Sequence, residues 1–182
     1  AFQLDILKGI ADALKGQRNV KPPKGWAEVA PKLAKSSKAE VRQLAQQLSL
    51  TFGSKDALAA LRKVLQDAKT KPADRRKALA SLIDARDKQL PRVLQGLLNE
   101  PALRRDALRG LGAVEDAKTA PAILKIYAKL DTAGRRDALT TLASRVSYAK
   151  ALMAAVAAGS VKANTLPADT VRQLRALGQK EI

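Results

Sequence analysis

One helical phrase recurs along the chain: AEVRQLAQQL from Ala39, ADRRKALASL from Ala73, ALRRDALRGL from Ala102 and AGRRDALTTL from Ala133, with a shorter echo, VRQLRAL, from Val171. The aligned arginines Arg42, Arg76, Arg105, Arg136 and Arg172 stand 34, 29, 31 and 36 residues apart, a spacing that matches helical-hairpin repeats. A unit of that length is one helix pair. Neither helix of a pair can bury its apolar stripe alone, so the units must stack on one another.

Within a unit the apolar spacing is helical: Ala78, Leu79, Leu82 and Ile83 share a face, as do Ala107, Leu108 and Leu111, and Ala138, Leu139 and Leu142. Second helices are expected over 57–65, 90–98, 120–130 and 149–158. Ser37 with Glu40 reads as a capping box, and Ser54 and Asp131 occupy N-cap positions. Pro72, Pro101 and Pro167 fall near first-helix starts, and Pro91 and Pro121 near second-helix starts, where a missing N–H costs nothing. The stretch GQRNVKPPKG, Gly16 to Gly25, is a surface loop between the first two helices. The units run over 1–36, 37–70, 71–99, 100–130 and 131–159, with a partial one at 160–182. The final helix, Pro167 to Leu177, is set off by the connection from Gly159 to Leu166 and has no partner helix within the chain. The opening residues carry neither a basic leader nor an initiating Met, so the chain reads as an excised or processed segment.

Composition narrows the chemistry. With no Cys and no His, thiolate and imidazole metal sites, covalent haem attachment and Ser-His or Cys-His nucleophile pairs are all excluded from these residues. Only 3% of residues are aromatic, which implies an Ala/Leu interior of closely packed helices in place of a sheet. No stretch is apolar for the roughly 18 residues a membrane helix needs. No cofactor and no metal are expected. Carboxylate neighbours such as Asp84 with Asp87, and Glu115 with Asp116, fall at helix ends and turns and read as caps, not as an acid/base pair.

The formal charge is +17, spread over the six units at +2 to +4 each. The doublets Arg75-Arg76, Arg104-Arg105 and Arg135-Arg136 would line up as a ladder if the hairpins stack, and a ladder of guanidinium groups is a candidate polyanion or partner surface. Each doublet also lies beside an acid, Asp74, Asp106 or Asp137, which favours ion pairing between neighbouring layers. Trp26, after the Pro-rich loop, is either an anchor for a partner or a staple that folds the loop onto the first hairpin. Tyr127 and Tyr148 have helical apolar neighbours and read as core or core-edge residues.

Two segments also resemble a known family. LKGIADALKGQRNVKPPKGW runs from a Gly-containing helix through a basic Pro-rich loop to Trp26, and RRDALTTLASRVSYAKALMAAVAAGSVKANTLPADTVRQL leads from an Ala-Leu helix through Ser144-Arg145, an aromatic-Ala helix and Gly159 to a last Arg-bearing helix. Both are similar to the HEAT-repeat region of the planctomycete-type membrane-bound dehydrogenases, in which that region joins a β-propeller to a cytochrome c module. The resemblance implies a periplasmic or secreted location. It carries over no catalytic residue, because the propeller groups and the CxxCH motif lie outside this sequence.

The expected fold is all-α: a right-handed α-solenoid of HEAT-type (PBS-lyase-like) hairpins, about five pairs plus a terminal helix. The expected role is a non-catalytic scaffold, spacer or protein-interaction domain whose partner is another protein or neighbouring domains of the same chain. Self-association through uncapped solenoid ends is a further expectation. The alternative is a basic nucleic-acid-binding module resembling the HEAT-like alkylpurine DNA glycosylases.

Overall fold

A computed structural model describes residues 2–18 and 20–178. Among the described residues the chain is all-helical, with eleven α-helices, one 3₁₀ turn and no strand. It divides into two compact units, Ala1–Val64 and Leu65–Ile182, with the division inside the fourth helix.

The first unit holds α1 (Phe2–Ala13), α2 (Trp26–Leu33), α3 (Ala39–Thr51) and most of α4 (Lys55–Gln66). Both α1 and α2 pack on α3. Their shared core is Leu7, Trp26, Leu33, Val41, Ala45, Leu48 and Phe52. Gly16 and Gly25 both adopt φ +79°, the left-handed conformation that only glycine adopts without strain, and Gly25 sits at the N-cap of α2. The loop between them is tied down where the Val20 N–H donates to the Thr51 carbonyl at 3.1 Å.

The capping box expected at Ser37 and Glu40 does not form. Helix α3 begins at Ala39 with Lys38 as its N-cap, so Ser37 lies one position too early. Glu40 turns instead to Lys8 on α1 at 2.9 Å. The other two caps form as the sequence indicates: Ser54 Oγ accepts from Ala57 N at 3.3 Å, and Asp131 Oδ1 from Gly134 N at 2.7 Å.

The second unit continues with α5 (Pro72–Asp84), α6 (Leu90–Leu97), α7 (Arg104–Ala113), α8 (Thr119–Tyr127), α9 (Thr132–Leu142), α10 (Val146–Ala157), a 3₁₀ turn (Ala163–Thr165) and α11 (Ala168–Ala176). Helix α7 packs on both α5 and α9, while α8 packs on both α6 and α10; α6 also meets α7, and α9 meets α8 and α10. Within this unit α5, α7 and α9 thus form one row, and α6, α8 and α10 an adjoining one.

The equivalent alanines Ala78, Ala107 and Ala138 are all buried in the row of α5, α7 and α9. A methyl side chain lets helix axes approach closely, and the neighbouring leucines Leu79, Leu108 and Leu139 are buried beside them. Each such leucine contributes roughly 1.5–3 kcal/mol on burial. Two polar contacts tie neighbouring helices together. Thr141 Oγ1 donates to the Leu108 carbonyl at 2.7 Å, and the Tyr148 hydroxyl accepts from Asp116 N at 2.9 Å.

Candidate functional site

The arginine doublets stand at or near the start of α5, α7 and α9, and the two members of each doublet do different work. The first member turns back to the end of the helix that precedes it in the chain. Arg75 Nε donates to the Leu65 carbonyl at 2.8 Å, Arg104 Nε to the Leu98 carbonyl at 2.8 Å, and Arg135 Nη2 to the Ala128 carbonyl at 3.0 Å. Last-turn carbonyls have no intrahelical donor, so a guanidinium there satisfies an orphan acceptor and complements the negative end of the helix. Arg135 also lies over the Tyr127 ring, 5.9 Å from its centroid.

The second member reaches forward to the next odd-numbered helix. Arg76 Nε meets Asp106 Oδ2 at 2.9 Å, Arg105 Nε meets Asp137 Oδ2 at 2.6 Å, and Arg136 Nη2 meets Asp169 Oδ2 at 3.3 Å. In the first two pairs the acid follows the next doublet directly. In the third, Asp169 precedes Arg172 by three residues, one helical turn back on the same face. These arginine side chains remain 50%, 49% and 71% exposed.

Arg75 departs from the pattern by being 1% exposed. Besides the Leu65 carbonyl it holds Glu100 with two nitrogens, Nη1 to Oε1 and Nη2 to Oε2 at 2.7 Å. The Arg75 hydrogen bond holds the Glu100 carboxyl below its ordinary range. A residue in this position is withdrawn from any external phosphate. Asp169 is likewise lowered, first by the Thr170 backbone N–H and then, more weakly, by Arg136.

Of the carboxylate neighbours, Asp116 accepts from Gln95 Nε2 and from Lys118 N, at 2.8 and 2.9 Å, and Glu115 lies 3.9 Å from Arg145. They tie helix ends together. Among the described residues no group of three or more acids could hold a metal ion, and no helix is long and apolar enough to cross a membrane.

Trp26 is 9% exposed, its ring edge-on to Phe52 at a centroid distance of 5.0 Å. It therefore fastens the Pro-rich loop to α3. It also forms part of the wall of an open groove of about 670 Å³ in the first unit, between α2, α3 and α4. It is lined by Ala27, Ala30 and Ala34 of α2 and its C-cap and by Ala57 and Ala60 of α4, with Arg42 and Asp56 as its charged members. The composition-based reading missed the groove. Its signal was the spacing of Arg42, Ala45, Gln46 and Ser49 on α3, positions i, i+3, i+4 and i+7 with small or polar side chains where a core stripe would carry leucine.

Comparison with protein-family models, curated proteins and solved structures gave no match.

Proposed function

We propose that the chain is a HEAT-type right-handed α-solenoid acting as a non-catalytic scaffold, spacer or protein-interaction domain. The observation that carries this reading is the divided labour of the doublets: three times over, one arginine caps the helix behind and its neighbour bonds the layer ahead. A charge pattern consumed inside the fold, layer after layer, is what an elongated array needs to hold its register. Small-angle scattering tests the form. A stacked array gives a radius of gyration well above the roughly 16 Å of a compact domain of this size, and a value near that figure overturns it.

The resemblance to the dehydrogenase HEAT region supports the spacer version, in an extracytoplasmic protein. A parent gene with no propeller before Ala1 and no CxxCH after Ile182 would remove that version. The +17 charge favours a second reading, a nucleic-acid module. Titration with a generic DNA duplex over a range of salt separates the two. The scaffold reading expects affinity to vanish by about 150 mM salt, whereas sub-micromolar binding there establishes the nucleic-acid reading. Self-association through apolar faces, such as that bearing the exposed Ile6 of α1, is tested by light scattering over a dilution series.

A further inference from the structure

We propose that the groove between α2, α3 and α4 docks an amphipathic helix from a partner protein, with apolar residues on one face and acidic residues flanking them; this rests on the protein-interaction reading above. At about 670 Å³ the groove lies within the roughly 300–1,000 Å³ range of clefts that hold ligands. Its lining is low, because Ala27, Ala30 and Ala34 of α2 and its C-cap and Ala57 and Ala60 of α4 end at Cβ. Such a lining admits the backbone of a helix and leaves room for its anchor side chains, the helix-in-groove mode of recognition.

The charge carried by the segments that build the groove selects the flanks of the occupant. Lys21, Lys32, Lys35 and Lys55 are exposed and each adjoins a lining residue in the chain. Arg42 stands in the wall, oriented by the carbonyls of Ser36 and Ser37 at 2.6 and 2.9 Å. Against these cations stand Asp56 in the wall and Glu28 beside Ala27; Glu40 is taken by Lys8. The balance is cationic, which is complementary to an acidic peptide.

Nucleic acid fits the same charge less well. Single strands are held by bases stacked on exposed aromatic faces, and here Trp26 and Phe52 are each 9% exposed and packed against each other. A duplex offers no apolar ridge to fill an alanine-walled cleft.

The test is selection of a random 16-residue peptide phage library on the intact chain, followed by binding measurements on the enriched peptides as synthetic fluorescent probes. The expected winners carry net negative charge and apolar residues three and four apart. Ala60→Trp and Ala27→Trp both start from exposed positions, so the fold is retained, which an unchanged thermal melt verifies; each should weaken the peptides at least tenfold by filling the groove. Combined Lys21→Glu and Lys35→Glu should weaken them similarly at low salt. Enriched peptides that bind both tryptophan variants unchanged overturn the groove while leaving an interaction domain standing. No enrichment overturns both. A duplex or single-stranded DNA probe that the tryptophan variants weaken, with the peptides unaffected, transfers the groove to nucleic acid and ends the proposal.

Discussion

Replacing Arg75 with Met tests whether the doublets are built into the fold. Arg75 is 1% exposed and serves two acceptors, the buried-end carbonyl of Leu65 and the carboxylate of Glu100. Methionine keeps the aliphatic length and removes the donors. The loss comprises charge-assisted hydrogen bonds worth about 1.5–3 kcal/mol, plus the cost of leaving a carbonyl and a carboxylate without their partner. Removing one member of a fully buried ion pair costs about 3–5 kcal/mol, but the Glu100 side chain is 29% exposed, so water recovers part of that. An overall loss of about 2–4 kcal/mol follows, which corresponds to a fall in Tm of roughly 5–15 °C for a chain of this size. Arg76→Met, one residue away, removes only a half-exposed pair with Asp106 and should cost less than about 1 kcal/mol. Urea unfolding of both variants, followed by circular dichroism, measures the contrast. Equal losses, or an Arg75→Met variant within about 1 kcal/mol of the parent, would refute the assignment of Arg75 as an internal clamp.

Three further outcomes are expected. Leu108→Asp places a charge at a position 0% exposed and should unfold the second unit, costing more than about 4 kcal/mol; a retained thermal transition would contradict the packing. Gly96→Ala, where an added Cβ meets nothing within 4 Å, should stabilise α6 by about 0.5–1 kcal/mol in chemical denaturation, whereas Gly110→Ala should give no gain, because its Cβ would come within 2.9 Å of the buried Leu94 Cδ1. Lowering the pH should destabilise the fold through Glu100: its carboxyl is depressed in the folded chain, so its contribution is present above the unfolded value of about 4.3 and is lost as pH falls through the folded one. Melting curves from pH 7 to 3 should therefore fall less steeply for Glu100→Gln than for the parent.

The helices were legible because their apolar period is written in residues that are buried alike. Ala107 and Leu108 are buried on α7 as Ala138 and Leu139 are on α9, so the period alone located both helices and their inward faces. The caps were legible where the cap is a local event within one turn, as at Asp131 and Gly134. They failed at Ser37, where a one-residue shift of the helix start and a distant lysine, Lys8, claimed the glutamate. The doublets were visible as a recurring pair, but the sequence could not tell that Arg75 and Arg76 point to different acceptors, since Leu65, Glu100 and Asp106 come near them only when the helices pack. The groove was the least legible part, because it is defined by what alanines leave empty between three helices and not by any reactive residue.

The positive charge divides by what holds it, and the division is itself testable. In the second unit the doublet guanidiniums are bound to carbonyls and carboxylates. In the first unit Lys15, Arg18, Lys21, Lys24, Lys32, Lys35 and Lys38 are exposed over a stretch whose one acid is Glu28. Any weak retention of the chain on a polyanion at low salt should accordingly come from these side chains. Each phosphate contact contributes about 0.9 to the slope of log affinity against log salt, so changing Lys21, Lys24 and Lys35 together to Gln should lower that slope by about two to three. Changing Arg76, Arg105 and Arg136 to Gln should lower it by less than about one, while reducing stability modestly, because those side chains already face Asp106, Asp137 and Asp169. Elution of the two triple variants from heparin over a salt gradient ranks them directly. If the arginine variant elutes earlier than the lysine variant, the ladder faces outward after all, and its ion pairs do not compete with external phosphate.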